Sequence, residues 1–387
     1  MTKPIKILVV GASIAGPAVC YWLKYFGFSP TLIEKSKTLK KGGFAIDIRG
    51  IAVDLVKQMG IYKKICDKRT NITHGRFVDA EGNTQHELQG EQSGFRSGED
   101  VEIVRGHLVK ILMQTIPEIP CHFDQEITEV IQHHDRVEVI FKDDRKEPYD
   151  IVIGADGLHS SIRQMTFDKE EYTLKDLGAY LSVFGIPNYL HLNHCDVLYE
   201  ANQKSIHISS DEDSNAARAG FMFRSEYVLK DIRDETEQKL FLKNTFLDMG
   251  WESNKLLQLM ETTNDFYFDS ITQVKMKSWT KGRVALVGDA GYCASPLSGQ
   301  GTSLALVGAY ILAGELNAAG DNYKEAFSNY NKRLRPFVDE NQSLGEWVSE
   351  TYLVSGELSK ETAEKRTAEV VGRLQKAANA IILPEYS

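Results

Sequence analysis

Gly11, Ser13 and Gly16 stand close together near the start of the chain, and a carboxylate, Glu34, follows 18 residues after Gly16. Residues 5–10 are a short β-branched run of the kind that forms a strand buried on both faces. Ala18, Val19, Tyr21, Trp22, Leu23 and Phe26 then trace a largely apolar helix that ends at Gly27, and Thr31-Leu32-Ile33 reads as a second strand closing on Glu34. The order strand, glycine turn, helix, strand, acid is that of a dinucleotide site. Gly11 permits the tight turn, and Gly16 lets the helix pack against the strand. Ser13, Ile14 and Ala15 open the helix, whose free N–H groups and positive dipole end suit a pyrophosphate. Glu34 falls where a carboxylate accepts ribose hydroxyls. Gly11 to Ala15 also mimics the G-x-S-x-G elbow of hydrolases, but only ten residues precede Gly11, which leaves no place for the loop that would supply an oxyanion hole. Ser13 is therefore read as part of a phosphate turn.

Two further motifs lie far downstream. Residues 149–163 run from a strand, Ile151 to Ile153, into Gly154-Ala155-Asp156-Gly157 and on to His159-Ser160-Ser161-Ile162-Arg163. Residues 282–301 run from a strand, Val284 to Val287, into Gly288-Asp289 and then Pro296-Leu297-Ser298-Gly299-Gln300-Gly301, with a helix beginning near Gly301.

With these three motifs in this order, the chain resembles the class A flavin monooxygenases, whose prototypes are aromatic hydroxylases such as para-hydroxybenzoate hydroxylase. Within that family the segments Glu34-Lys35, Gly42 to Gly50, Val101 to Leu108, and Asp289 with Pro296 and Gly299 are similar to those of the tetracycline-inactivating monooxygenases, or tetracycline destructases, in their soil and Legionella-type branch. The resemblance implies an α/β fold with a Rossmann-like FAD-binding domain, a second sheet-based substrate domain and C-terminal helices. It implies FAD as cofactor, with NADPH and O2 as co-substrates. NADPH reduces the flavin, a C4a-hydroperoxyflavin forms, and one oxygen atom passes to the substrate with no side-chain nucleophile. By the same resemblance Asp289 meets the ribityl chain, and the helix after Gly299-Gln300-Gly301 points its N-terminus at the N1/O2 edge of the flavin, where the reduced ring is anionic. Asp156 and Gly157 serve the pyrophosphate region. Glu34, Lys35, Asp47, Arg105, Asp289, Pro296 and Gly299 carry over as cofactor residues, and Arg49 is added from its proximity to Asp47. Arg105 is a fixed cation at the start of a helix. Asp47, between Ile46 and Ile48, wants a partner, for which the flavin edge or the substrate is the expectation. Gly291-Tyr292 and Gly308 depart from the family pattern, which usually has Ala-His and an acid there.

Residues 176–275 lack a second glycine fingerprint and show strand alternation instead. Tyr180, Phe184, Phe221, Phe223, Arg224, Pro296 and Trp347 are the candidate substrate residues. Domain limits follow from the motifs: 1–72, 101–175 and 276–320 for FAD, 73–100 and 176–275 for substrate, and 321–387 for C-terminal helices broken around Val354-Ser355-Gly356. Tyr352 and Leu353 join Trp347 at the expected pocket-facing end. His191, His194 and Cys195 lack a fourth ligand at fitting spacing, so no metal is expected. His133-His134 reads as a hairpin turn, and His159 with Ser160 as caps of the turn before Arg163.

Composition closes off other classes. The chain has 387 residues, with 45 Lys and Arg against 54 Asp and Glu, so a basic nucleic-acid surface is excluded. Five cysteines without a C-x-x-C pair fit free thiols in a reducing compartment. Ala290 to Gly314 is uncharged over 25 residues, but its first half is rich in Gly, Ser and Pro, so it reads as a loop and a buried helix and not a membrane span. A cytoplasmic monomer is the expectation. The alternatives are a flavin hydroxylase of another aromatic or polyketide substrate and, from a different class, a non-catalytic carrier on the same fold. A flavin halogenase is disfavoured because no two of the four Trp lie two apart.

Overall fold

The computed structural model describes residues 5–39, 43–89, 95–210, 215–227, 234–351 and 360–386. Tyr352, Leu353, the expected break at 354–356 and Gly42 lie outside them.

Four β-rich segments that are distant in sequence meet in one six-stranded sheet. Its order is Thr280–Lys281, Val284–Leu286, Ile151–Gly154, Lys6–Val10, Ser29–Ile33, Cys121–His122, parallel throughout except for the first hairpin. The Ile, Leu and Val side chains of the three middle strands are buried in one core with the helices and with a three-stranded antiparallel sheet, Ile127–Gln132, Val137–Phe141 and Lys146–Tyr149. Parallel strands end at the same edge. The turns after Val10, Ile33, Gly154 and Leu286 therefore converge there, which is how three motifs spread over 280 residues become neighbours.

The apolar stretch after Gly301 forms the helix Gly301–Ala319, whose hydrophobic window is 83% buried, so it is a core helix packed on the glycine-loop helix Ala15–Tyr25. A bridging helix, Tyr323–Thr351, packs on it, and the last helix, Lys360–Ala378, packs on the bridging helix.

A seven-stranded sheet draws its strands from two stretches: Phe266–Met276, Tyr172–Pro187, Ala216–Arg224, Lys204–Ser210, Cys195–Ala201, His74–Val78 and Thr84–Gln89, in that order. Two helices, Glu235–Phe246 and Ser253–Thr262, cover one of its faces with Leu242, Phe246, Leu256 and Met260. The strand reading of this region did not contain them. The first carries an identifiable signal, Asp234, whose carboxylate accepts from the N–H groups of Thr236 and Glu237. A small antiparallel pair, Ala45–Ile48 with Val101–Val104, stands between the two large sheets, and its ends carry Arg49 and Arg105.

Candidate active site

The glycine turn is built for close approach of backbones. Gly11 has φ +107°, and a Cβ there would lie 2.5 Å from the Ala155 carbonyl oxygen and 3.1 Å from Asp156 Cα. Only glycine satisfies both demands, so the first and second motifs lock together through this one residue. The helix that follows has no side-chain cap and no acid in its first turn, which leaves its N–H groups and dipole for an anion. Glu34 folds back on the turn. One of its oxygens accepts from the Ala12 N–H at 2.8 Å and the other from the Ser36 N–H at 2.8 Å.

Arg105 donates to Ser13 Oγ at 2.7 Å, and its backbone N–H donates to the Phe44 carbonyl. It bonds to Ser13 and not to Asp100 or Glu102, the acids nearest it in sequence. Those acids are engaged elsewhere. Asp100 accepts from the Gly50 N–H and lies 3.6 Å from Arg49, and Glu102 pairs with Arg96 at 3.2 Å.

Asp289 marks the other end of the cavity. Its side chain is open in surface terms, yet desolvation is the largest influence on it and raises its pKa, with Arg105 opposing and Asp269 reinforcing. A carboxylate that is open at the surface yet desolvated by the protein around it sits in a recess of the fold. Tyr267 behaves alike: it is 38% exposed, burial raises its pKa first, and it senses Asp269, Asp289 and Arg105. Its ring lies 5.5 Å from that of Phe44. Arg105, Asp289, Tyr267 and Phe44 therefore surround one space. Pro296 and Gly301 are exposed, and a Cβ on Gly301 would meet open space. The helix behind Gly301 also lacks a side-chain cap and a first-turn acid.

The loop from Gly288 to Gly301 is held from behind by the bridging helix. Gln342 donates to the carbonyls of Val274 at 2.8 Å and Cys293 at 3.3 Å, while Gln273 donates to those of Ala294 at 3.1 Å and Gln342 at 2.7 Å. Gln300 is fully buried, and its side-chain amide donates to the Leu374 carbonyl of the last helix at 3.4 Å.

Several expectations need correction. The Asp156 carboxylate is engaged within its own motif. It accepts from Ser160 Oγ at 2.5 Å, Ser161 N–H at 2.7 Å, Ser161 Oγ at 3.0 Å and Ile162 N–H at 3.1 Å. Its side chain fastens the turn, and the glycine beside it, Gly157, is half-buried with no atom within 4 Å of an added Cβ. Ser160 caps the next helix through Arg163 N–H, as expected, but His159 does not. It reaches across to Asp269 of the large sheet, Nε2 to Oδ2 3.0 Å. Arg163 is buried completely and donates to the carbonyls of Ala290 and Leu158, joining the second motif to the third. Asp47 has a partner within the protein, Arg49 at 2.9 Å, while its Oδ1 has no hydrogen bond. Arg49 is buried, and its backbone N–H donates to Ser303 Oγ in the first turn of the core helix. Lys35 is exposed and its charge is felt by Glu126, outside the cavity.

The substrate candidates fare worst. Tyr180, Phe184, Phe221 and Phe223 all lie on the helix-covered face, packed with Phe246 and Leu242. They are core because residues of one parity on a strand share one face, and this parity met the helices. Arg224 has the other parity but sits at the edge, bonded to Ser349 of the bridging helix. Trp347 packs against the last helix, with Arg373 4.2 Å from its ring. The cavity face carries Leu181, Val183, Met222, His207, Leu198, Tyr267 and Asp269, all of the neglected parity. The alternation that exposed one set contained the other, with the sign reversed. Among the described residues there is no cluster able to hold a metal ion.

Comparison with known proteins agrees with this geometry. A family model described as an FAD binding domain matches residues 4–342. A flavin-dependent monooxygenase of Legionella longbeachae is 60% identical over 386 residues, spanning 100% of this chain and 99% of its own. The crystal structure of tetracycline destructase Tet(51) superimposes with a TM-score of 0.92 at 57% identity over 99% of this chain and 100% of that one. Tetracycline destructase Tet(55) gives 0.94 at 58% identity, covering 100% of both chains. The chain belongs to the FAD binding domain family and is an FAD-dependent monooxygenase.

Proposed function

We propose that this monooxygenase inactivates tetracyclines by inserting one oxygen atom, with NADPH and O2 as co-substrates. The observation that carries the reading is the full-length likeness, at 57 and 58% identity, to two tetracycline destructases. The cavity supports it. The residues present fit an FAD: two uncapped helix N-termini, an open Gly301, and an enclosed, open carboxylate at Asp289 form a cradle with anion-binding ends and a hydrogen-bonding middle.

In this reading the backbone of Gly11 to Gly16 and the N-terminus of Ala15–Tyr25 hold the pyrophosphate, with Ser13 kept in place by Arg105. Glu34 holds the adenosine ribose and Asp289 the ribityl chain. The backbone of Gly299 to Gly301 and the helix dipole behind it stabilise negative charge on the flavin edge. Asp156 acts by fixing the turn against Gly11, and Gly157 leaves room. When bound, the flavin accepts reducing equivalents and activates oxygen. The chain orients both partners and walls the reaction from water with Tyr267, Phe44 and the large sheet. The substrate lies between that sheet and the flavin. The cytoplasm and a monomeric state are part of the same proposal.

The test is NADPH-dependent loss of the tetracycline chromophore by the purified yellow protein, in air and under nitrogen. Loss in air only, with a product one oxygen atom heavier, is the expected result. NADPH oxidation indifferent to tetracycline would retain the monooxygenase and reject the substrate.

A further inference from the structure

One transverse row crosses the cavity face of the large sheet. Register places Tyr267, Val183, Gly220, His207, Leu198 and Phe77 side by side on six neighbouring strands. Two members stand out. Gly220 sits mid-strand between Ala219 and Phe221, where glycine weakens a strand. A Cβ there would meet only ordinary contacts: the Ser182 oxygen at 3.5 Å, His207 Cβ at 3.8 Å and His207 Nδ1 at 3.9 Å. Gly220 is buried, yet a Cβ would fit without displacing a neighbour, so the glycine leaves a methyl-sized hollow beside His207 that packing of this chain does not demand. His207 adjoins that hollow. Its Nε2 lies 3.4 Å from Asp196 Oδ1, and 43% of its side-chain surface is open. Burial is the largest single influence on its titration and works against the charged form. Asp196 and, from the small sheet opposite, Glu102 oppose that desolvation and hold the ring toward its cationic form. Glu102 is in turn paired with Arg96 and senses Asp47.

We propose that His207, oriented by Asp196 and set beside the Gly220 hollow, anchors the substrate by donating from Nδ1 to an oxygen of an enolised β-dicarbonyl, an acidic and planar group. The proposal rests on the reading that substrate occupies the space between this sheet and the flavin. An imidazole whose Nε2 faces a carboxylate turns Nδ1 the other way as a donor, and a charge-assisted bond favours an enolate over a neutral ketone. The hollow accepts the edge of a flat ring that a side chain would exclude.

The test uses the FAD-loaded protein and His207→Leu, His207→Gln and Gly220→Val. Two measurements are made: KM and kcat with tetracycline, and the binding of 2-acetyl-1,3-cyclohexanedione and of α-tetralone, read by flavin absorbance without NADPH. Loss of His207 in the Leu variant is expected to raise KM and the triketone dissociation constant tenfold or more, with tetralone binding and the flavin spectrum unchanged. The Gln variant falls between, and it carries the comparison if the Leu variant loses flavin. Gly220→Val weakens both probes. Triketone and tetracycline constants within twofold of wild type in the His207 variants overturn the anchor while leaving the tetracycline reading intact. A wild-type protein that binds triketone through His207 yet leaves tetracycline unchanged supports the anchor and rejects that reading.

Discussion

In the nucleotide half, the cavity is lined from four turns at the carboxyl ends of parallel strands. In the large sheet it is lined by every second residue of the strands themselves. The first arrangement depends on glycine positions and a few fixed charges, so it leaves local, spaced motifs. The second depends on which face of a sheet a helix happens to cover, and that is decided by segments elsewhere in the chain. Gly11 against Ala155 and Phe221 packed at a tilt on Phe246 are both tight contacts, but only the first is written in a spacing.

Gly11→Val strikes the first arrangement hardest. The added side chain collides with the Ala155 carbonyl at a φ of +107°, so the turn must open and the second motif must retreat from the first. A colourless protein is expected, with flavin occupancy after reconstitution at least 100-fold below wild type at equal FAD. Normal yellow protein would mean that this turn does not form the cradle.

Asp289→Ala is milder. The fold keeps its sheet and its Gln342 and Gln273 anchors, and one hydrogen-bonding carboxylate is lost from the cavity wall. The FAD dissociation constant is expected to rise about tenfold, the equivalent of ~1.4 kcal/mol, measured by flavin fluorescence titration. An unchanged constant together with unchanged turnover would remove Asp289 from the cofactor contacts.

The comparison within the large sheet is sharpest at two adjacent residues. Phe221 is fully buried among Phe184, Phe223 and Phe246, and Phe221→Ala is expected to cost about 3–5 kcal/mol of stability. Met222, on the opposite face, is half-buried, and Met222→Ala is expected to cost about 1 kcal/mol or less while shifting the KM for substrate several-fold. Denaturant melts and steady-state kinetics on both variants separate the two faces. A KM change confined to Phe221→Ala would invert the assignment.

The sequence carried four strands of the six-stranded sheet, the core helix and the glycine turns, because a buried parallel strand followed by a glycine turn has few other readings, whereas the two-residue strands Thr280–Lys281 and Cys121–His122 are too short to leave a pattern. It did not carry side-chain commitments. Asp47 reads as a carboxylate in want of a partner, and Asp156 by resemblance as a residue of the pyrophosphate region. Asp156 is consumed by the N–H groups and hydroxyls of the next turn, and Asp47 by an arginine two residues away. Nor did it place His159, whose partner Asp269 is 110 residues distant. Alternation in Tyr180–Phe184 and Phe221–Phe223 located two faces without saying which one the helices Glu235–Phe246 and Ser253–Thr262 would cover, and the larger aromatics went to the core.

The smallest expected effect concerns the small sheet that stands between these two regions. Glu102 faces Asp47 across the pair of strands and accepts from Thr70 Oγ1. Burial, and then the charge of Asp47, push its carboxyl up to about 7 against the pull of Arg96. A carboxyl whose pKa is higher folded than unfolded binds its proton more tightly in the native state. Its contribution to stability is complete below the unfolded range, roughly 4.3, and is lost as pH rises through about 7. Glu102→Gln keeps the neutral shape at every pH. The FAD-loaded wild type is expected to lose more of its Tm between pH 5.5 and 8 than the variant does, by on the order of 1–2 °C for a chain this long. Thermal melts across that range decide it. Parallel curves would mean that the small sheet carries an ordinary ionised carboxylate and that Arg96, not burial, sets its charge.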